Sequence, residues 1–328
     1  MNSAVVYVYF ICEIIYHIQY VNHCIRIQIS TAMASTEPTR REPYFDNLRL
    51  FLIFLVVLGH FCETAQSSAA APGIRYLIYT FHMPLFIFLT GLFFKQEDIQ
   101  KNTQKGIRFL ILFLIMKMVN WFTYFVLHQQ VRGFDLINET GLPWFMFAMG
   151  VWFILTPRIL NSLGIKAVLP FAVLFALIAG YDPAINSVFM LSRVIVFWPF
   201  FLLGIALPRR KVQAIVTKKG MFILGIAIFA CAAYIYIYHY EYARFLNSML
   251  SAQHPYADIG EYANYGFIIR SCMYMVSVIM GFAAMTLIPN LKLPCTPLGE
   301  RTLSVYFYDM IVYDITTFAL TGLHLWGL

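Results

Sequence analysis

The sequence is short of charge. Only 12% of its 328 residues are Asp, Glu, Lys or Arg, against about a quarter in a soluble domain, and this excludes a water-soluble globule. It also lacks any Cys-x-x-Cys pair. Its six cysteines (Cys12, Cys24, Cys62, Cys231, Cys272 and Cys295) stand far apart, mostly in or beside apolar stretches. They read as small apolar residues, with neither a disulfide framework nor a metal site expected. No internal repeat, low-complexity tract or soluble domain is visible. The net charge of +7 comes from Lys and Arg in short connections between apolar blocks, so it does not imply a nucleic-acid partner.

What the chain has in abundance is hydrophobic surface, at 60% of residues with 17% aromatic. The apolar residues fall in blocks of about 17 to 25, the length a helix needs to cross a hydrocarbon core. Unalternating blocks of this length argue helices over a barrel. The expected fold class is therefore all-α: a polytopic transmembrane helical bundle of about nine to ten spans. Nine core spans are placed at roughly 47–62, 74–94, 107–127, 143–160, 165–180, 189–207, 221–239, 266–288 and 302–322. Fifteen basic residues fall in one set of alternate connections, among them Arg40, Arg41, Lys95, Lys105 and Arg209, and five in the other (Arg75, Arg132, Arg193, Arg244 and Arg270). By the positive-inside rule the Arg40 side is expected in the cytoplasm.

Residues 1–39 form a leader that fits the pattern badly, because its apolar run is interrupted by Glu13 and His17 and lacks a basic start. The expected native start is Met33, with the preceding residues an upstream extension or a loosely attached helix. Residues 40–328 are expected to form the membrane domain. The longest polar connection, Glu241 to Asn264, carries no motif, and the run "YIYIYHYEY" (Tyr234 to Tyr242) reads as an interfacial belt or a sugar-stacking surface.

A charged group inside a bilayer costs about 2.5–3.5 kcal/mol on insertion scales, so each needs a reason. At a rise of about 1.5 Å per residue, His60 in "FLVVLGHFCE" lies about 20 Å from the start of its span. His82 lies about 12 Å into the next, antiparallel one. Both imidazoles then fall at nearly one depth, toward the outer face. Asp314 reaches a similar level, and Asp309 lies deeper on the same helix. A single intramembrane histidine is equally well explained by an interhelical hydrogen bond. Two at matched depth, one with Glu63 three residues on, suit proton transfer. Glu63 has two readings, orienting His60 or ending the helix in water. Arg49, beside Asp46 one turn inside the opposite end, either snorkels or contacts an anionic group. Arg193 opens its span at the outer side as an interface anchor or a functional residue.

The stretch "REPYFDNLRLFLIFLVVLGH" resembles the opening of the acyltransferase 3 family of integral membrane acyltransferases, with Asp46, Leu48, Arg49 and His60 at the matching positions. "FHMPLFIFLTGLFF", with Pro84 and Thr90-Gly91, is similar to the family's second element. "LPWFMFAMGVW", "SRVIVFWPFFLLG" and "LGERTLSVYFYD" look like later segments of its fucose 4-O-acetylase-like branch. The resemblance spans about residues 40–315. It implies an enzyme of a bacterial plasma membrane that moves an acyl group, typically acetyl, from cytoplasmic acyl-CoA to a hydroxyl of an extracytoplasmic or lipid-linked glycan. No bound cofactor or metal is implied. The resemblance implies His60 as the general base, Asp46 and Arg49 as the donor-side pair, and Arg193 at a matching arginine; the depth and spacing reading adds Glu63 and His82 to the catalytic candidates and Asp309 and Asp314 to Arg193 on the acceptor or channel side. Two departures stand out. The last motif often ends in His where this chain has Asp309, and the family usually has about ten spans. A transporter or exporter of a polysaccharide or small molecule, and an inactive truncated relative, are the rival readings.

Overall fold

The computed structural model describes residues 42–64, 70–96, 98–131, 133–134, 141–187, 190–239, 252 and 254–325. The leader, Arg40, Arg41, Arg132, Arg244 and most of the loop before His254 lie outside the described residues.

The helices are α1 (Pro43–Thr64), α2 (Ala71–Leu92), α3 (Ile99–His128), α4 (Trp144–Leu163), α5 (Ile165–Ile178), α6 (Pro183–Ser187), α7 (Leu191–Ala206), α8 (Arg209–Val216), α9 (Lys219–Tyr238), α10 (Gly266–Thr286) and α11 (Thr302–Leu325). Short 3₁₀ turns cover Ala179–Tyr181, Tyr256–Tyr265 and Thr296–Glu300. Among the described residues there is no strand. Each of the nine sequence-derived segments overlaps one α-helix, of which α5 is the shortest at 14 residues. Five helical segments are long and apolar enough to cross a bilayer by length and composition alone: Pro43–Glu63, Ile99–His128, Trp144–Leu163, Lys219–Tyr238 and Tyr256–Thr286. A sixth arises if α7 and α8, which meet at a bend of 92°, count as one span. The chain is thus an all-helical integral membrane protein, with at least five helices of spanning character. α2 and α11 are not among these five, and they carry His82, Asp309 and Asp314 inside the bundle.

Burial separates lipid-facing from core helices. α9 is largely exposed, presenting Phe222, Ile223, Leu224 and Ile226 outward, as expected of a helix whose surroundings are as apolar as itself. By contrast α2 and α7 cross so closely that a Cβ on Gly91 would sit 2.1 Å from the Phe201 carbonyl oxygen, and one on Gly204 2.2 Å from that of Phe88. Small residues at such crossings allow backbone contact.

Pro84 interrupts α2. It has no N–H to give to the carbonyl of Thr80 one turn earlier, and in lipid that carbonyl needs another donor. The Ser277 hydroxyl on α10 supplies it at 2.6 Å. The start of α1 is fixed by side chains that reach the segment after α10: Tyr44 donates to the Met285 carbonyl at 2.8 Å, and Asn47 to those of Pro289 and Leu291. The Thr296 hydroxyl in turn donates to Asn47 Oδ1 at 2.6 Å. Gly299 lies against Asp46, where a Cβ would stand 2.0 Å from the Asp46 carbonyl oxygen. These contacts set where α11 begins beside α1.

Candidate active site

α1 and α11 run side by side from that junction, and their facing residues include a polar contact inside the bundle. His60 Nδ1 lies 2.6 Å from Asp309 Oδ2. A carboxylate only accepts, so in the neutral imidazole Nδ1 carries the proton and Nε2 keeps its lone pair. The Asp309 side chain is 1% exposed and that of His60 16%: the carboxylate is sealed in and the imidazole is reachable. Such an arrangement makes a general base, with the carboxylate fixing the tautomer and stabilising the imidazolium once a proton is taken.

The carboxylate bonded to His60 is therefore Asp309 and not Glu63. Glu63 accepts a hydrogen bond from the Tyr79 hydroxyl at 2.6 Å and one from Tyr313 at 3.3 Å, so it joins α1, α2 and α11 rather than ending a helix in water. Tyr313 packs edge-on to His60, with ring centroids 6.0 Å apart. Depth counted from Thr302 puts Asp309 too deep, because the 3₁₀ turn Thr296–Glu300 already stands level with Asp46. Measured from that junction, His60 is about 21 Å up α1 and Asp309 about 15 Å up the α11 side, and the two side chains meet across the remaining difference.

His82 is buried on α2. Its Nδ1–H donates to the Ile78 carbonyl one turn back at 2.8 Å, and its ring lies 5.1 Å from that of Tyr79. Asp314 faces α3, where the Asn120 amide donates to it at 2.9 Å. Arg193, buried on α7, lies with its guanidinium 4.9 Å over the Trp144 ring. Sequence reasoning missed Tyr79, Tyr313 and Asn120. Tyr79 is three residues before His82 and Tyr313 four after Asp309, spacings that share a helical face.

At the other end of α1, Arg49 pairs with Asp46 at 2.7 Å and borders a cavity of about 190 Å³ whose lining includes Thr90, Phe93, Lys95, Asn102 and Lys105. The Arg49 and Arg209 guanidinium groups both lie over the Phe93 ring, at 4.6 and 4.9 Å. Three cations on the wall and a fourth beside it suit a polyanion. Among the described residues, no group of His, Cys, Asp and Glu side chains could hold a metal ion.

The family model described as an acyltransferase domain matches residues 42–328, nearly the whole chain. The chain belongs to the acyltransferase 3 family. No curated protein and no solved structure matches it. As a member of that family it is a membrane acyltransferase, transferring groups other than amino-acyl groups. In this acyltransferase the matched region contains both the His60–Asp309 pair and the cationic cavity.

Proposed function

We propose that this acyltransferase moves an acyl group, acetyl in the simplest case, from cytoplasmic acyl-CoA to a hydroxyl of an extracytoplasmic or lipid-linked glycan. The nine long helices cross the bilayer, with the end that carries Arg49, Lys95 and Lys105 in the cytoplasm, as the fifteen-to-five distribution of basic residues favours. The observation that carries the reading is the sealed Asp309 carboxylate on Nδ1 of a reachable His60, set along one helix from a cationic cavity. Eleven residues separate Arg49 from His60, about 16 Å of helix, a span suited to an extended pantetheine arm.

The donor's phosphates rest against Arg49, Lys95 and Lys105, and its thioester extends toward His60. The acceptor hydroxyl arrives from the opposite end. His60 Nε2 removes its proton as the oxygen attacks the thioester carbonyl, and Asp309 stabilises the imidazolium. When the tetrahedral intermediate collapses, the C–S bond breaks and the imidazolium returns the proton to the leaving thiolate. The products are an O-acyl ester and free CoA, and His60 ends neutral. Glu63, held by Tyr79 and Tyr313, keeps α1, α2 and α11 together around the base. His82, with its Nδ1–H committed to Ile78, contributes a lone pair at Nε2 toward the same region.

Mass spectrometry of surface glycans from cells with and without the protein tests this reading. An acyl-sized mass increment that needs both the protein and His60 supports it. Movement of the acceptor across vesicles without covalent change supports an exporter instead.

A further inference from the structure

α3 carries a polar stripe that the mechanism above leaves unused. Lys117, Asn120, Tyr124 and His128 are spaced by three, four and four residues, which places them on one helical face. The remaining surface of the same helix presents Met118, Phe122 and Phe125 outward as exposed apolar side chains. Two members of the stripe meet α11. Asn120 bonds Asp314 at 2.9 Å, and His128 packs edge-on against Phe318, with centroids 5.1 Å apart. Tyr124 and His128 stack at 4.3 Å, so three rings make an aromatic corner with an amide and a carboxylate on the side toward Asp309.

Distance along α11 connects this corner to the base. From Asp309, the partner of His60, the helix rises roughly 7.5 Å to Asp314 and roughly 6 Å more to Phe318. The stripe therefore runs from the level of His60 to the end of the bundle away from Arg49. Polar and ionisable side chains at membrane depth face the bundle interior or a wet cavity, where they mark substrate paths. A belt of interfacial aromatics explains rings at a helix end. It does not explain an Asn–Asp pair about 6 to 12 Å further in along α3.

We propose that the face shared by α3 and α11 is the acceptor subsite and that it takes a saccharide. The apolar C–H face of a sugar ring stacks against the Tyr124–His128 corner, and ring hydroxyls meet Asp314 and Asn120. This rests on the acyl-transfer reading above and adds the part of the chain that selects the acceptor. The subsite favours a ring-shaped polyol over a simple alcohol, because a carboxylate accepts more hydrogen bonds than the one Asn120 gives Asp314, and an alkyl chain supplies none.

The full chain in lipid nanodiscs is given labelled acetyl-CoA with octyl glycosides of glucose, galactose and fucose, and separately with octan-1-ol. At least one glycoside should take label at about ten times the rate of octan-1-ol or faster. Tyr124→Ala should raise KM for that glycoside about tenfold and change kcat less than about threefold, the pattern of lost ground-state binding. Asp314→Asn should also raise KM. Phe122→Ala, on the outward face of the same helix, should match wild type in both constants. A wild-type protein that releases no CoA under any condition overturns the acyl-transfer reading and the subsite with it. Release of CoA with no glycoside labelled overturns the subsite alone. So does octan-1-ol reacting as fast as the glycosides, or Tyr124→Ala lowering kcat with KM unmoved.

Discussion

Asp309→Asn is the most revealing single change, because it keeps shape and removes charge at the contact on which the mechanism depends. The native pair is 2.6 Å apart and the carboxylate is 1% exposed, so solvent screening of the interaction is weak. A hydrogen bond to a charged group contributes about 1.5–3 kcal/mol net. If that stabilisation is needed chiefly when His60 becomes an imidazolium, its loss lowers the rate by about 10- to 150-fold. The tautomer adds to this. An asparagine that turns its NH₂ toward Nδ1 forces the proton onto Nε2, which then has no lone pair for the acceptor hydroxyl. The expected fall in kcat is therefore at or above the upper end of that range, with the donor Kd unchanged. The assay is single-turnover transfer of labelled acetyl from acetyl-CoA, alongside equilibrium donor binding to the same preparation. Combining His60→Ala with Asp309→Asn should cost no more than His60→Ala alone, since both act through one proton transfer. An Asp309→Asn protein within twofold of wild type, or a double variant whose losses multiply, would refute the dyad.

Other changes test the surrounding structure. Glu63→Gln keeps an acceptor for Tyr79 and leaves the His60 tautomer alone, so kcat should fall far less than in Asp309→Asn; equal losses would move the orienting role back to Glu63. Gly299→Ala drives a methyl into the Asp46 carbonyl, an overpacking that costs about 1–3 kcal/mol. It should lower both thermal stability and transfer, because it shifts α11 against α1; an unchanged melting curve speaks against the junction. Arg49→Ala removes one wall of the cationic cavity and should raise the donor KM by about tenfold or more with little effect on transfer from bound donor, read by the same single-turnover assay. Asp98 caps α3 by accepting the Lys101 backbone N–H at 2.8 Å, and that bond, followed by the Lys101 ammonium, holds its carboxyl below the usual range. Its folded pKa is the lower one, so the capping contribution is complete above the unfolded value of about 3.9 and is lost as pH falls through the folded value. Amide exchange at Lys101, corrected for its intrinsic pH dependence, should accelerate below about pH 4 and be fast at all pH values in Asp98→Ala.

The helices were readable from the sequence because lipid permits few alternatives: a long unalternating apolar run must be helical, and its polar breaks mark the ends. The sequence pattern places spans at 74–94 and 302–322, but α2 and α11 are not among the five helices of spanning character, since both spend positions on residues such as Tyr79, His82, Asp309 and Asp314. Depth counting puts His60, His82 and Asp314 at one level and Asp309 deeper, and the spacing leaves Glu63 either orienting His60 or ending the helix, so neither foresees the His60–Asp309 contact. Glu63 is three residues away on the same helix, whereas Asp309 is 249 residues away, and nothing local in the sequence reports that contact. The contact depends on a 3₁₀ turn after Cys295 and on Gly299 touching Asp46, neither of which a hydropathy pattern records. What Asp309 does becomes legible only in three dimensions, where its carboxylate bonds the His60 imidazole. The cationic cavity draws on α1, α2, α3 and α4; Arg49 and Thr90 belong to stretches that stand out along the chain, whereas Lys95, Asn102 and Lys105 carry no motif.

The central claim is that His60 is the base for transfer of an acyl group from CoA to a glycan hydroxyl. Its most direct test is the reconstituted full chain, supplied with labelled acetyl-CoA and with de-esterified surface glycan from cells that carry the protein, compared with His60→Ala folded to the same melting temperature. The account predicts label on glycan oxygen with wild type and a loss of about 10²- to 10⁴-fold in the variant, with donor binding retained. Label appearing at the wild-type rate in His60→Ala would contradict it.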